Sequence, residues 1–147
     1  MIRIIAFICC VLGGFTFGLY LKKRTVQKNN LYSDLVRYCV ALQLNVTGKQ
    51  LELGTFNADF SQSCSAPFCE AMQQKNYSYC SALQKKSLTD FFDNLDCVGG
   101  SALLEHLKFF QKQFETDLAE SSYAAKKSSL YVKLGLLLGV MVGILFL

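Results

Sequence analysis

Apolar residues are concentrated at the two ends of the chain and thinned to a helical periodicity between them. From Ile4 to Leu21 the run IIAFICCVLGGFTFGLYL carries no charge over 18 residues. As a helix it extends about 27 Å, close to the roughly 30 Å hydrocarbon core of a bilayer. The second run, Leu134–Leu147, is 14 residues long, or 18 counted from Leu130 if Lys133 lifts its ammonium to the interface. The pattern predicts transmembrane helices over 1–21 and 130–147, with a helical domain over 22–129. Tyr20 and Tyr131 sit near the inner edges of the runs, where an amphipathic ring suits the headgroup layer. Glycines punctuate both: Gly13, Gly14 and Gly18 in the first, and Gly135, Gly139 and Gly143 in the second. The second set recurs every four residues, which puts small residues on one face and permits close helix contact in lipid; ordinary glycine tolerance in a membrane helix is the alternative.

Between the runs the spacing is helical. Leu31, Leu35, Tyr38 and Leu42 form a core stripe continuing from the first run. Asn45–Gly48 reads as a break. Helices are predicted over 49–61, over 67–74 with Ser65 as cap and Pro67 in the first turn, over 77–85, and over 87–95 with Ser87 as cap. Cys97–Gly100 reads as a turn. Ser101 then caps a long helix carrying Leu103, Leu107, Phe110, Phe114 and Leu118, which meets no Gly or Pro before Gly135 and is free to run straight into the last apolar run. The expected fold is therefore all-α, a bundle of about six helices between two transmembrane helices. The interior is rich in phenylalanine, and neighbours such as Phe91–Phe92 and Phe109–Phe110 cannot all face one core.

Charge orients this arrangement. Lys22, Lys23, Arg24 and Lys28 follow the first run, and Lys126, Lys127 and Lys133 flank the start of the second. The outer side has Arg3 and the amino terminus. The positive-inside rule places the middle of the chain in the cytoplasm, with the last run a C-terminal anchor. The first run has a signal peptide's basic start, but it ends in Lys-Lys-Arg with no small-residue cleavage site, as an uncleaved anchor does. The net charge of +4 is a membrane-flank effect, since residues 29–125 hold seven basic and eleven acidic side chains. That balance argues against a nucleic-acid surface.

Candidate chemistry is sparse. No phosphate-binding glycine loop, nucleophile elbow or zinc-binding His-Glu-x-x-His occurs, so an enzyme is not expected, nor a cofactor or small-molecule substrate. Of seven cysteines, two lie in the first run; the others read as reduced, buried hydrophobes in a cytoplasmic domain. Cys64, Cys69, Cys80 and His106 lack the tight pairing of a zinc site. The sequons at Asn45 and Asn76 matter only in a secretory lumen. Asp90, Asp93 and Asp96, spaced by three, line one helix face. They read as a solvated acidic face or docking patch more readily than as a metal or acid–base cluster.

The back of the chain carries a family likeness. Val98-Gly99-Gly100-Ser101, the long helix, and Ser129-Leu130-Tyr131-Val132-Lys133-Leu134-Gly135 leading into an apolar end resemble the stage III sporulation protein AB family. That family has a Leu-Gly-x-Ser-Asp turn, a long helix and a Leu-Gly entry to a terminal span. The architecture matches end to end and the residues over about 98–147. Ala102 stands where the family has aspartate and Val98 where it has leucine, and the family's proline motif after its first cytoplasmic helix is absent. The chain is identified as a divergent member. The resemblance implies a double-spanning protein of the mother-cell membrane facing the forespore, with a cytoplasmic domain similar to the F-domain of type II secretion platforms. It also implies engagement of a secretion-type ATPase, stage III sporulation protein AA, and of other proteins of the stage III sporulation complex. Candidate contacts are Asp90, Asp93, Asp96, Gly99, Gly100 and Ser101. A two-span scaffold outside sporulation and an external, disulfide-bonded binding module are the competing readings.

Overall fold

The computed structural model describes residues 2–49, 51–95 and 100–145. Among them every regular element is helical: α1 (Ile2–Leu44), a π-helical turn (Asn45–Lys49), α2 (Leu53–Ser61), α3 (Ala66–Gln74), α4 (Ala82–Leu95), α5 (Gly100–Lys126) and α6 (Ser128–Ile144). The chain forms two compact units, one of Met1–Val26 with Ser121–Leu147 and one of Gln27–Glu120.

The larger unit, Gln27–Glu120, is built on aromatic packing. The predicted stripe of α1 is its spine: Leu31, Leu35, Tyr38 and Leu42 are fully buried, with Tyr32 and Cys39 beside them. Tyr38 is a hub whose ring meets Phe56, Phe60, Phe68 and Phe91 at centroid distances of 5.2–6.2 Å. Phe91 continues the chain of rings to Phe110 and Phe114 of α5. Within the adjacent pairs the burial divides as helical geometry requires: Phe91 and Phe110 are buried, Phe92 is half-buried and Phe109 is 66% exposed.

Four helix boundaries differ from expectation. The helix expected from Lys49 begins at Leu53. The Asn45 side chain donates to the Leu51 carbonyl at 3.0 Å and accepts from the Leu51 N–H at 3.1 Å, holding that backbone out of a helix. The helix expected over 77–85 does not form before Ala82, where α4 begins. Lys75 closes α3 in the left-handed region (φ 50), Asn76 accepts the Ser78 N–H, and Cys80 N–H bonds to the Tyr77 carbonyl in a turn. One helix, α4, then replaces two. Ser81 Oγ accepts the Gln84 N–H and Gln84 Oε1 accepts the Ser81 N–H, a reciprocal capping box. Ser87, expected as the cap, lies mid-helix with its hydroxyl buried and without a hydrogen-bond partner. Among the described residues the unit therefore uses five helices where six pieces were expected. Ser101 is likewise inside a helix, because Gly100 already begins α5 with φ +62. Cys97–Gly99 of the expected turn lies outside the described residues.

Ser65 and Pro67 do open α3, but the Ser65 hydroxyl makes no cap bond. Its N–H is held at 2.7 Å by Asp34, a buried carboxylate on α1 that also accepts from Arg37.

The smaller unit is a hairpin of apolar helix. Gly14 lies against Gly135 and Gly139, Gly18 against Tyr131 and Val132, Gly139 against Cys10 and Val11, and Gly143 against the Phe7 ring. The rising numbers on one helix meet falling numbers on the other, so the helices are antiparallel. A Cβ added to Gly14 would lie 2.3 Å from the Gly135 carbonyl oxygen, and one added to Gly135 would lie 2.4 Å from the Gly14 carbonyl oxygen. Only backbone fits there. Gly13 has open space around it. The outer faces are apolar and exposed, including Ile4, Ile8, Leu12, Leu137, Leu138 and Met141.

The expected straight run from the long helix into the last apolar run is interrupted: α5 and α6 are bent by 45° at Lys127. No Gly or Pro causes this. The Lys127 N–H still reaches Tyr123, but the Leu130 N–H bonds back to the Lys127 carbonyl, tightening the turn, while the Lys127 ammonium sits 4.3 Å from the centre of the Tyr123 ring. Among the described residues one helix, α1, is long and apolar enough to cross a membrane, with a best 18-residue window of mean hydropathy 2.3. A second passes the same test only if the bent pair α5–α6 counts as one span.

Candidate functional site

The acidic face of α4 arises because the core takes Leu88, Phe91 and Leu95, leaving Asp90 and Asp93 on the solvent side. Asp96 lies outside the described residues. The two described carboxylates are not equivalent. Asp93 forms an ion pair with Lys75, the left-handed residue that ends α3. The Asp90 carbonyl accepts from Asn94, and its carboxylate is exposed. Gly100 and Ser101 are exposed at the start of α5, where the positive φ of Gly100 favours a residue without a side chain; Gly99 lies outside the described residues.

The basic positions divide between the units. Lys22, Lys23, Arg24, Lys126, Lys127 and Lys133 are exposed in the smaller unit, while Lys28 is half-buried in the larger one. All eleven acidic residues fall within Gln27–Glu120. Gly135, Gly139 and Gly143 are the buried residues of α6 along with Ser128. Their partners Gly14 and Gly18 were missed as a set from sequence, although the same four-residue spacing is visible there.

Among the described residues, Cys64, Cys69, Cys80 and His106 form no metal-holding group. The His106 ring stacks parallel to Phe91 (2° between planes) and lies 4.7 Å from Phe110. Cys80 is buried and accepts a long hydrogen bond from Tyr32. Burial, and then the nearby Glu115, pushes the Cys39 thiol up to about 12. Burial likewise raises Tyr32 well above the ordinary phenol range, with Cys80 and Asp117 adding to it. Among the described residues no group of three or more His, Cys, Asp or Glu is placed to hold a metal ion. Cys64 and Cys69 do meet, with their sulfurs 2.8 Å apart. The sequons differ in access: Asn45 is buried and bound to Leu51, whereas Asn76 is exposed.

A shallow recess of about 430 Å³ lies beside the end of α1, lined mainly by Ala41, Leu44, Leu51, Phe56 and Phe60. Among the described residues, Asn45 and Asp59 are its only polar liners, too few to fix a small molecule's orientation.

No family model matches the chain, and no curated protein or solved structure matches it.

Proposed function

We propose that the protein is a two-span membrane platform subunit of the stage III sporulation protein AB kind. Its helical domain, Gln27–Glu120, faces the cytoplasm and engages a secretion-type ATPase and neighbouring ring components. It carries out no chemistry of its own. The observation that supports this reading best is the antiparallel glycine seam. Contact of Gly18 with Tyr131 and Val132, and of Phe7 with Gly143, brings the inner ends of the two apolar runs to the same end of the hairpin. Lys22, Lys23, Arg24, Lys126, Lys127 and Lys133 then share that end, as the positive-inside rule requires of two spans with a cytoplasmic connection. Thr16 and Thr25 return their hydroxyls to the carbonyls of Gly13 and Leu21, satisfying them within the helix as lipid demands. Docking is assigned to the α4 face, with Asp90 as its uncovered carboxylate and Asp93 as a charge shared with Lys75.

The native thiols are poor topology reporters, since Cys80 is buried and Cys64 and Cys69 contact each other. Lys86→Cys, at an exposed position of α4, is the better probe. A membrane-impermeant maleimide should label this cysteine only after cell lysis; labelling in intact cells overturns the cytoplasmic placement. With topology established, the pair Asp90→Lys and Asp93→Lys should abolish co-purification with the ATPase. Undiminished co-purification removes α4 as the docking face.

A further inference from the structure

We propose that Cys64 and Cys69 are a redox-active dithiol that closes to an intramolecular disulfide, stapling the turn after α2 to the first turn of α3. The two sulfurs are 2.8 Å apart, and both thiols lie against the Ser61 carbonyl, at 3.3 Å for Cys64 and 3.6 Å for Cys69. No other pair of cysteine sulfurs among the described residues comes within hydrogen-bond reach of each other. Folding, rather than chance encounter, makes this pair. Phe60 and Phe68, the aromatic residues flanking the turn, pack edge-on at 5.4 Å, and the Asp34 carboxylate holds Ser65 N–H between the two cysteines. The entropic part of closing the ring is therefore already met by the fold. Both cysteines are half-buried and so remain within reach of a small oxidant, unlike Cys39 and Cys80.

The co-reactant is a low-molecular-weight disulfide. One protein thiolate attacks a sulfur of that disulfide, forming a mixed disulfide and releasing one small thiol. The second protein thiolate then displaces the other half, forming the Cys64–Cys69 bond and releasing a second small thiol. Two protein thiols are oxidised, one small disulfide is reduced to two thiols, and the two protein protons end on those leaving groups. Burial, then contact with Cys69 and the charge of Asp34, pushes the Cys64 thiol up to about 12. The inference stands independently of the membrane topology.

The test uses the full chain in detergent micelles, reduced, desalted and then exposed to oxidised glutathione. The expected product is lighter by two hydrogen atoms. It offers two fewer alkylatable thiols in denaturant than the seven of the reduced chain. Chymotryptic cleavage after Phe68 should leave the Cys64 and Cys69 peptides joined by a reducible bond. Cys64→Ser and Cys69→Ser should each abolish the joined pair, and Cys39→Ser and Cys80→Ser should keep it. The joined peptide in the unaltered chain is the deciding readout should a serine variant fail to fold. Separate glutathione adducts on the two cysteines, pairing of either with a different cysteine, or full alkylation after prolonged oxidation each overturns the proposal.

Discussion

The two units are held together by opposite means. Gln27–Glu120 has a core of large side chains: Tyr32, Tyr38, Phe68, Phe91 and Phe114 are all fully buried. The hairpin of apolar helix buries almost no side chain in α6; its interior is Gly135 and Gly139 against the backbone of α1 and Gly143 against the Phe7 ring. Large apolar side chains such as Ile4, Leu12, Leu134, Leu137 and Met141 are exposed. On the proposed two-span reading, the contrast follows from solvent. In water, removing apolar area drives association, so the largest rings go inside. Among lipid tails that drive vanishes, and helices associate through close backbone contact that only small residues permit. The hairpin reads as the inverse of a water-soluble core, and the acidic residues, all confined to the other unit, follow the same division.

The largest effect should come from the aromatic core. Phe91→Ala removes a fully buried ring that contacts Tyr38, Phe92, His106, Phe110 and Phe114. It should cost about 3–5 kcal/mol in denaturant unfolding of the full chain. Phe109→Ala, at an exposed ring, should change stability by about 0.5 kcal/mol or less. Equal losses at the two positions would break the account of a one-sided core.

Next comes the seam. Gly14→Ala forces a methyl group to within 2.3 Å of the Gly135 carbonyl, so the helices must part. The expected cost is about 1–3 kcal/mol, read as loss of disulfide cross-linking between cysteines engineered at Phe7 and Gly143. Gly13→Ala, one residue away and facing open space, should leave cross-linking intact. Identical behaviour of the two variants would mean that the glycines are incidental to the contact.

The smallest effect, taken per pH unit, is alkaline weakening of the aromatic unit alone. The Cys39 thiol is raised to about 12 in the folded chain by burial, against an ordinary value of about 8.5 when unfolded. Between those values the unfolded chain loses the proton and the folded chain keeps it. Stability is then full below the ordinary thiol range and falls as pH rises, by about 1.4 kcal/mol per unit for this group. Cys39→Ala should flatten that part of the slope in pH-dependent unfolding followed by tyrosine fluorescence. The glycine seam is made of contacts that carry no titrating proton, and its cross-linking should not follow this curve.

The core stripe was legible in sequence because Leu31, Leu35, Tyr38 and Leu42 repeat with the helix period. The all-helical class was equally legible, since nothing alternates with period two. The start of α4 was not. Ser81–Gln84 carries the capping-box pattern as plainly as any segment, but Ser87 with Asp90 offers a similar local signal, and only burial of Leu88 selects between them. The late start of the helix expected over 77–85 turns on Lys75 adopting φ 50, a conformation that residue type does not announce. Of the candidate site, the acidic spacing on α4 was readable, whereas the Lys75 partner of Asp93 and the meeting of Cys64 with Cys69 depend on where α3 folds back.

The four-residue glycine spacing has a further consequence. A displacement of α6 along α1 by one repeat, about 6 Å of helix rise, would again set glycine against glycine over most of the seam. With Gly14 and Gly18 on α1 facing three glycines on α6, the repeat is thus a track with one further stop, at which Gly14 would meet Gly139 and Gly143 and Gly18 would meet Gly135 and Gly139. What distinguishes one stop is the Phe7 ring seated on Gly143. That single bulky residue acts as the detent that turns a sliding track into a fixed register.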